Sequence, residues 1–133
     1  MKHLASVALL LTLLLSGASA AQAHCQVPCG IYDDAARIHA MREDVTTIRK
    51  SSKHIVDLSK KDDALSRNQL VRWVQTKEQH ASRIMSVVSE YFLAQKIKST
   101  PKTDKSARQA YIAKLVAAHD VIRAAMKAKQ TID

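Results

Sequence analysis

Asp34-Ala-Ala-Arg-Ile-His-Ala-Met-Arg-Glu-Asp-Val-Thr-Thr-Ile-Arg-Lys-Ser-Ser-Lys-His-Ile-Val-Asp-Leu-Ser-Lys60 contains no glycine and no proline. Its apolar side chains fall at Ile38, Met41, Val45, Ile48, Ile55 and Leu58, with Ser52 filling the gap. Steps of three and four place them on one face of an α-helix. Asp33 and Asp34 supply N-cap chemistry at its start. Lys61-Asp62-Asp63 reads as a turn. A second and longer helix is expected from about Ala64 to Lys98, with Leu70, Val74, Ala81, Ile84, Val88, Tyr91 and Phe92 inward. Ser99-Thr100-Pro101-Lys102-Thr103 breaks the pattern as a loop. A third helix is expected from about Asp104 to Gln130, with Ala107, Tyr111, Leu115, Ala118, Ile122 and Ala125 inward. No stretch alternates as a strand does. The fold class is all-α, an antiparallel helical bundle with three helices visible.

The residues before this region have a different character. Met1-Lys2-His3 is a short basic start, and Leu4 to Leu15 is an almost unbroken apolar run. Ser16-Gly17-Ala18-Ser19-Ala20 follows, then Ala21-Gln22-Ala23. These are the three regions of a secretory signal peptide, with cleavage expected between Ala23 and His24. The apolar run is short for a stable membrane anchor. A lipoprotein site is disfavoured, because His24 precedes Cys25 where a small residue is needed. Residues 1–23 are thus read as signal peptide and residues 24–133 as the helical domain. The protein is expected outside the cytoplasm, in the periplasm or beyond the cell, with no membrane contact after cleavage.

Of the 133 residues, 110 remain after that cut, and they include one glycine, Gly30. One lysine and no acid is lost, leaving 20 basic against 12 acidic side chains and a charge of +8. A positive balance suits an anionic surface or a small anion. Nucleic acid is not expected as a partner: aromatics are too few for a stacking platform, and no basic run resembles a binding arm.

His24-Cys-Gln-Val-Pro-Cys-Gly-Ile-Tyr32 is the irregular segment between cleavage site and first helix. Pro28 and Gly30 forbid a helix there. Cys25 and Cys29 are the two cysteines of the chain, spaced C-x3-C. In an exported protein that spacing suits a small disulfide loop. A zinc site is short of ligands. Cleavage, however, makes His24 the free N-terminus. One segment then offers an α-amine, an imidazole, a deprotonatable amide at Cys25 and two thiolates. Nitrogen and sulfur donors in one plane suit square-planar nickel or copper.

His24-Cys25-Gln26-Val27-Pro28-Cys29-Gly30-Ile31-Tyr32-Asp33 resembles the H-C-x-x-P-C-G-x-Y-D metal hook of nickel-containing superoxide dismutases, including the N-terminal histidine. Weaker similarity continues through Lys77-Glu78-Gln79, Glu90-Tyr91-Phe92 and the region from Leu115 to Lys129 around His119. The resemblance implies an enzyme that disproportionates superoxide at one nickel ion, cycling between Ni2+ and Ni3+. It implies that His24 provides its amine and, in the oxidised state, its imidazole. Cys25 would provide its backbone nitrogen and sulfur, and Cys29 the second sulfur. Tyr32 would stand over the open face and limit access to small anions. It also implies a four-helix bundle assembled as a homo-oligomer, a hexamer in the family. An alternative function is a nickel- or copper-binding carrier that keeps the hook without turnover.

Three departures accompany the resemblance. Gln26 stands where many members carry an acid. In well-known members an acidic residue in the first helix orients the axial imidazole; His39 occupies the matching place here, and its arginine partner is replaced by His80. Three helices are visible where the family has four. A shortened product, an incomplete sequence and packing supplied by another subunit would each account for that. The exposed apolar stripe of such a protomer predicts that it is not a stable monomer.

Overall fold

The computed structural model describes residues 34–132. Helix α1 spans Asp34–Leu58, α2 spans Ala64–Ser86, and α3 spans Lys105–Gln130. Between α2 and the loop before α3, the helix continues as a π-helix over Val87–Lys96. Among the described residues there is no strand. Short turns make successive helices antiparallel. His54 stacks on Trp73 at 4.3 Å, Asp44 meets His80, and Asp34 meets Tyr91, so α1 and α2 run in opposite directions.

Local chemistry fixes the element ends. Asp63 caps α2, accepting from the Ser66 amide at 2.9 Å and the Ser66 hydroxyl at 2.6 Å. Those bonds hold its carboxyl below the ordinary aspartate range. Asp104 caps α3 in the same way through the Ala107 amide. Each cap satisfies an amide that the first helical turn leaves without a partner. The far end of α3 is closed by Lys77, a buried lysine of α2. Its ammonium donates to the carbonyls of Ala128, Lys129 and Thr131 at 2.6, 2.9 and 2.7 Å. All three N–H bonds are used, and the positive charge lies against the negative end of the helix dipole.

The core gathers Ile48, Ala81, Ile84, Val88, Ala118 and Ala125. Where α2 and its π-helical continuation meet α3, Ile84 and Val88 pack against Ala118 and Ala125, with Ile122 beside them. Helices α1 and α3 both pack on α2, yet their backbones scarcely meet. An open apolar groove lies between them. It is formed by a cavity of about 370 Å3 around Ile38, Met41, Phe92 and Ala117 and another of about 340 Å3 around Val45, Ile84 and Ala124. Val121 lines both.

This arrangement corrects parts of the sequence reading. Ile38 and Val45 were expected inward but are each 39 % exposed, because they face the groove rather than α2. The buried line of α1 is Asp44, Ile48, Ser51 and Ile55. Ser51, not Ser52, fills the gap, and its hydroxyl donates to the Thr47 carbonyl. Val74 is also exposed, and the vacant inward place after it belongs to Lys77. The second helix does not keep α-helical phase to Lys98. It changes at Val87, and its last wide turn closes with the Ile97 amide donating to the Phe92 carbonyl at 2.8 Å. The inward residues expected for α3 are all buried or half-buried.

Candidate metal centre

The expected metal-binding residues His24, Cys25 and Cys29, together with Tyr32, lie outside the described residues, as do Asp33 and the cleavage site at residues 23–24. Among the described residues, no group of three or more His, Cys, Asp or Glu side chains is placed to hold a metal ion. No described helix is long and apolar enough to cross a membrane. The site is therefore built from its described edge, Asp34, two residues beyond Tyr32 and five beyond Cys29.

At the start of α1, Asp34 is held from across the fold. The Tyr91 hydroxyl donates to Asp34 Oδ1 at 2.6 Å, and Lys96 Nζ lies 3.1 Å from the same oxygen. The Tyr91 bond, and then the Lys96 bond, hold the Asp34 carboxyl below its ordinary range. Conversely, the bond to Asp34 raises the Tyr91 phenol and the Lys96 ammonium above theirs. Each group stabilises the charge state it meets. The buried Tyr91 ring also packs edge-on against Phe92 at 5.1 Å. The Arg37 guanidinium and the Lys96 ammonium each stand 5.4 Å from its centre. Arg37, Arg83, Tyr91 and Gln95 line an adjoining cavity of about 170 Å3. Three cationic side chains, Arg37, Arg83 and Lys96, thus gather at the end from which the hook segment departs.

The two histidines considered as partners for His24 are separated by the fold. His39 is exposed on α1, with its ring 3.6 Å from Glu43. His80 is part of a network around the buried Asp44: its Nδ1 meets Asp44 Oδ1 at 2.6 Å, and the exposed Arg83 donates to the same oxygen at 3.1 Å. An ionised carboxylate only accepts, so Nδ1 carries the proton in this pair. His80 is thereby oriented by Asp44, whereas His39 meets only the exposed Glu43 among the contacts described. Asp44 was missed by the sequence reading because Arg42-Glu43-Asp44 looks like a solvated face. The 44-48-51-55 spacing was the signal that it is buried. Asp34 was read only as a cap, and its bonds to Tyr91 and Lys96 span 57 and 62 residues that periodicity does not connect.

The chain matches the family model described as nickel-containing superoxide dismutase over residues 19–133. It belongs to that family. It is accordingly an oxidoreductase with a nickel cofactor and superoxide as its substrate. No curated protein sequence and no solved structure matches the chain.

Proposed function

We propose that the nickel is held by the segment beginning at His24, and that this segment becomes a metal site only after residues 1–23 are removed. The observation that carries this reading is the position of the sulfur donors. Both cysteines of the chain stand at 25 and 29, inside the matched region and beside a histidine at the cleavage point. The donor set fits the metal: the His24 amine and imidazole, the Cys25 amidate and the Cys25 and Cys29 thiolates would hold a nickel ion. Strong thiolate and amidate donors also favour the higher oxidation state. Bound nickel supplies one-electron chemistry, by which two superoxide ions and two protons become oxygen and hydrogen peroxide.

The chain's own residues have the remaining tasks. Coordination keeps Cys25 and Cys29 deprotonated and out of a disulfide. Tyr32 limits access to small anions. The net charge of +8 left after cleavage attracts an anion and raises the encounter rate. His80, fixed by Asp44, is the better-placed partner for the His24 ring, because its orientation is already set. The leader directs export to the periplasm or beyond the cell. Several copies assemble through the open apolar groove, and the family's hexamer is the expected form.

The amine of His24 has a lone pair for metal only when the preceding peptide bond is broken. A chain retaining Ala23 before His24 is expected to lose nickel-dependent superoxide consumption, while the chain beginning at His24 shows it. Cys25→Ser and Cys29→Ser should each abolish it, with nickel content followed by mass spectrometry. Full activity in the Ala23-retaining chain would refute the hook.

A further inference from the structure

The π-helix stands where a bond between distant elements needs it. Tyr91 and Lys96 are five residues apart, and both reach Asp34 Oδ1. An α-helix turns about 100° per residue, so residues five apart would point about 140° away from each other. Bonding from i to i+5 turns the backbone more slowly and returns such a pair to nearly one face. The widened turn is supported internally: the Ile97 amide bonds the Phe92 carbonyl at 2.8 Å, and the Gln95 side-chain amide bonds the Glu90 carbonyl at 2.8 Å. A π-helix is rare and is poorer in local stability than the α-helix it interrupts. Here it brings two donors onto one carboxylate.

The carboxylate they hold is the first described residue after the hook segment. Asp34 lies in the first turn of α1, where a negative charge already suits the helix dipole. Its bonds to Tyr91 and Lys96 tie that turn to the opposite strand of the helical hairpin. They hold the first turn of α1, from which the chain continues toward the hook, in one place. Tyr32 is two residues away and Cys29 five, so movement at Asp34 is transmitted to them through a short tether.

We propose that Asp34, Tyr91 and Lys96 form a clamp that positions the nickel-binding segment, with Asp34 and Lys96 acting as positioning residues through the backbone of residues 29–33. This rests on the hook reading above. The clamp supplies no metal ligand. Its effect is to restrict the conformations open to the segment, so that fewer are lost when the metal binds. Asp34→Ala removes the shared acceptor, and Lys96→Met removes one donor without shortening the side chain greatly.

The test uses processed, nickel-loaded protein and follows nickel release to a chelator together with the thiolate-to-nickel absorption spectrum. Asp34→Ala and Lys96→Met are expected to release nickel about tenfold faster or more, the scale on which outer partners of metal ligands act. Lys96→Arg should restore retention, since a guanidinium can make the same bond. Asp63→Ala, which removes only the α2 cap, should lower the unfolding temperature and leave release and spectrum unchanged. Far-ultraviolet circular dichroism establishes that each variant is folded. Tyr91→Phe, which keeps the buried ring, provides a second break in the clamp that preserves packing. If all three clamp variants retain nickel with the wild-type rate and spectrum, the clamp is overturned while the hook stands. If the Cys25→Ser and Cys29→Ser variants hold nickel as well as the wild type, hook and clamp both fall.

Discussion

Asp34 shows how one carboxylate can carry a pH dependence that its neighbours do not share. Its folded-state pKa lies below the ordinary 3.8, first because Tyr91 donates to it and next because Lys96 does. The unfolded chain therefore takes up this proton more readily than the folded one. The contribution is complete above about pH 5, begins to fall near pH 3.8, and is lost as pH drops through the folded value. At the alkaline end the raised Tyr91 and Lys96 keep their protons beyond 10.0 and 10.5, so their contribution persists to about pH 10 and is lost above. In urea unfolding, the difference between wild type and Asp34→Ala should be constant between pH 5 and 9 and should narrow towards pH 3. Other carboxylates titrate in both proteins and cancel in that difference. A gap unchanged at pH 3 would show that Asp34 is not held as described. The buried carboxylate, Asp44, acts differently. His80 and Arg83 converge on a single oxygen of it, so its role is to orient an imidazole at the interface of α1 and α2.

At the scale of elements, Lys77 ties the end of α3 to α2. A buried ammonium is costly unless all its hydrogen bonds are made, and here α3's terminal carbonyls accept all three. Lys77→Met would keep the aliphatic stem but leave those carbonyls without their donor. Bonds to a charged group contribute about 1.5–3 kcal/mol each, and water will recover part of the loss at this end of the bundle. A destabilisation of about 2–3 kcal/mol is expected by chemical denaturation, with faster amide exchange confined to the last turns of α3. Three helices, their turns and the inward face of α3 were legible in the sequence, because periodicity and capping aspartates act locally. Lys77 was not: a lysine in a helical stripe reads as solvent-facing until the end of another helix is known to lie against it. The π-helix was also hidden, since Val87–Lys96 contains good α-helical spacing and the contacts of Tyr91 and Lys96 with Asp34 come from a distant element. For the metal centre the balance is reversed. His24, Cys25 and Cys29 were readable as candidate donors because they stand close together in the sequence, whereas Asp34, Tyr91 and Lys96 come from distant parts of the chain.

The whole molecule buries a small core and leaves several large apolar side chains exposed. Ile84, Val88, Ala118 and Ala125 are in the core, while Val121 on α3 is 40 % exposed. Ile38 and Val45 of α1 face the same groove as Val121. A contiguous apolar face of this kind is characteristic of a surface that meets another protein surface. Charge alone does not prevent association, because the groove floor is apolar and the lysines stand at its rim. The simplest occupant is another copy of the chain, whose own exposed face would be covered in the same event. Val121 is the informative position because it lines both halves of the groove without belonging to the buried core. Val121→Lys should leave helix content intact and shift the processed protein towards monomer in light scattering at micromolar concentration. An exposed substitution away from the groove, such as Arg72→Glu on α2, should leave the mass unchanged. Clamp and groove meet at Asp34, which lines the larger cavity as well as bonding Tyr91. Filling that cavity from another subunit would brace the first turn of α1 from its open side. Nickel retention in Val121→Lys should therefore decrease with dilution no more steeply than in an already monomeric protein, whereas wild-type retention should improve as concentration favours assembly. Retention in the wild type that is independent of concentration across its assembly range would separate the groove from the metal site.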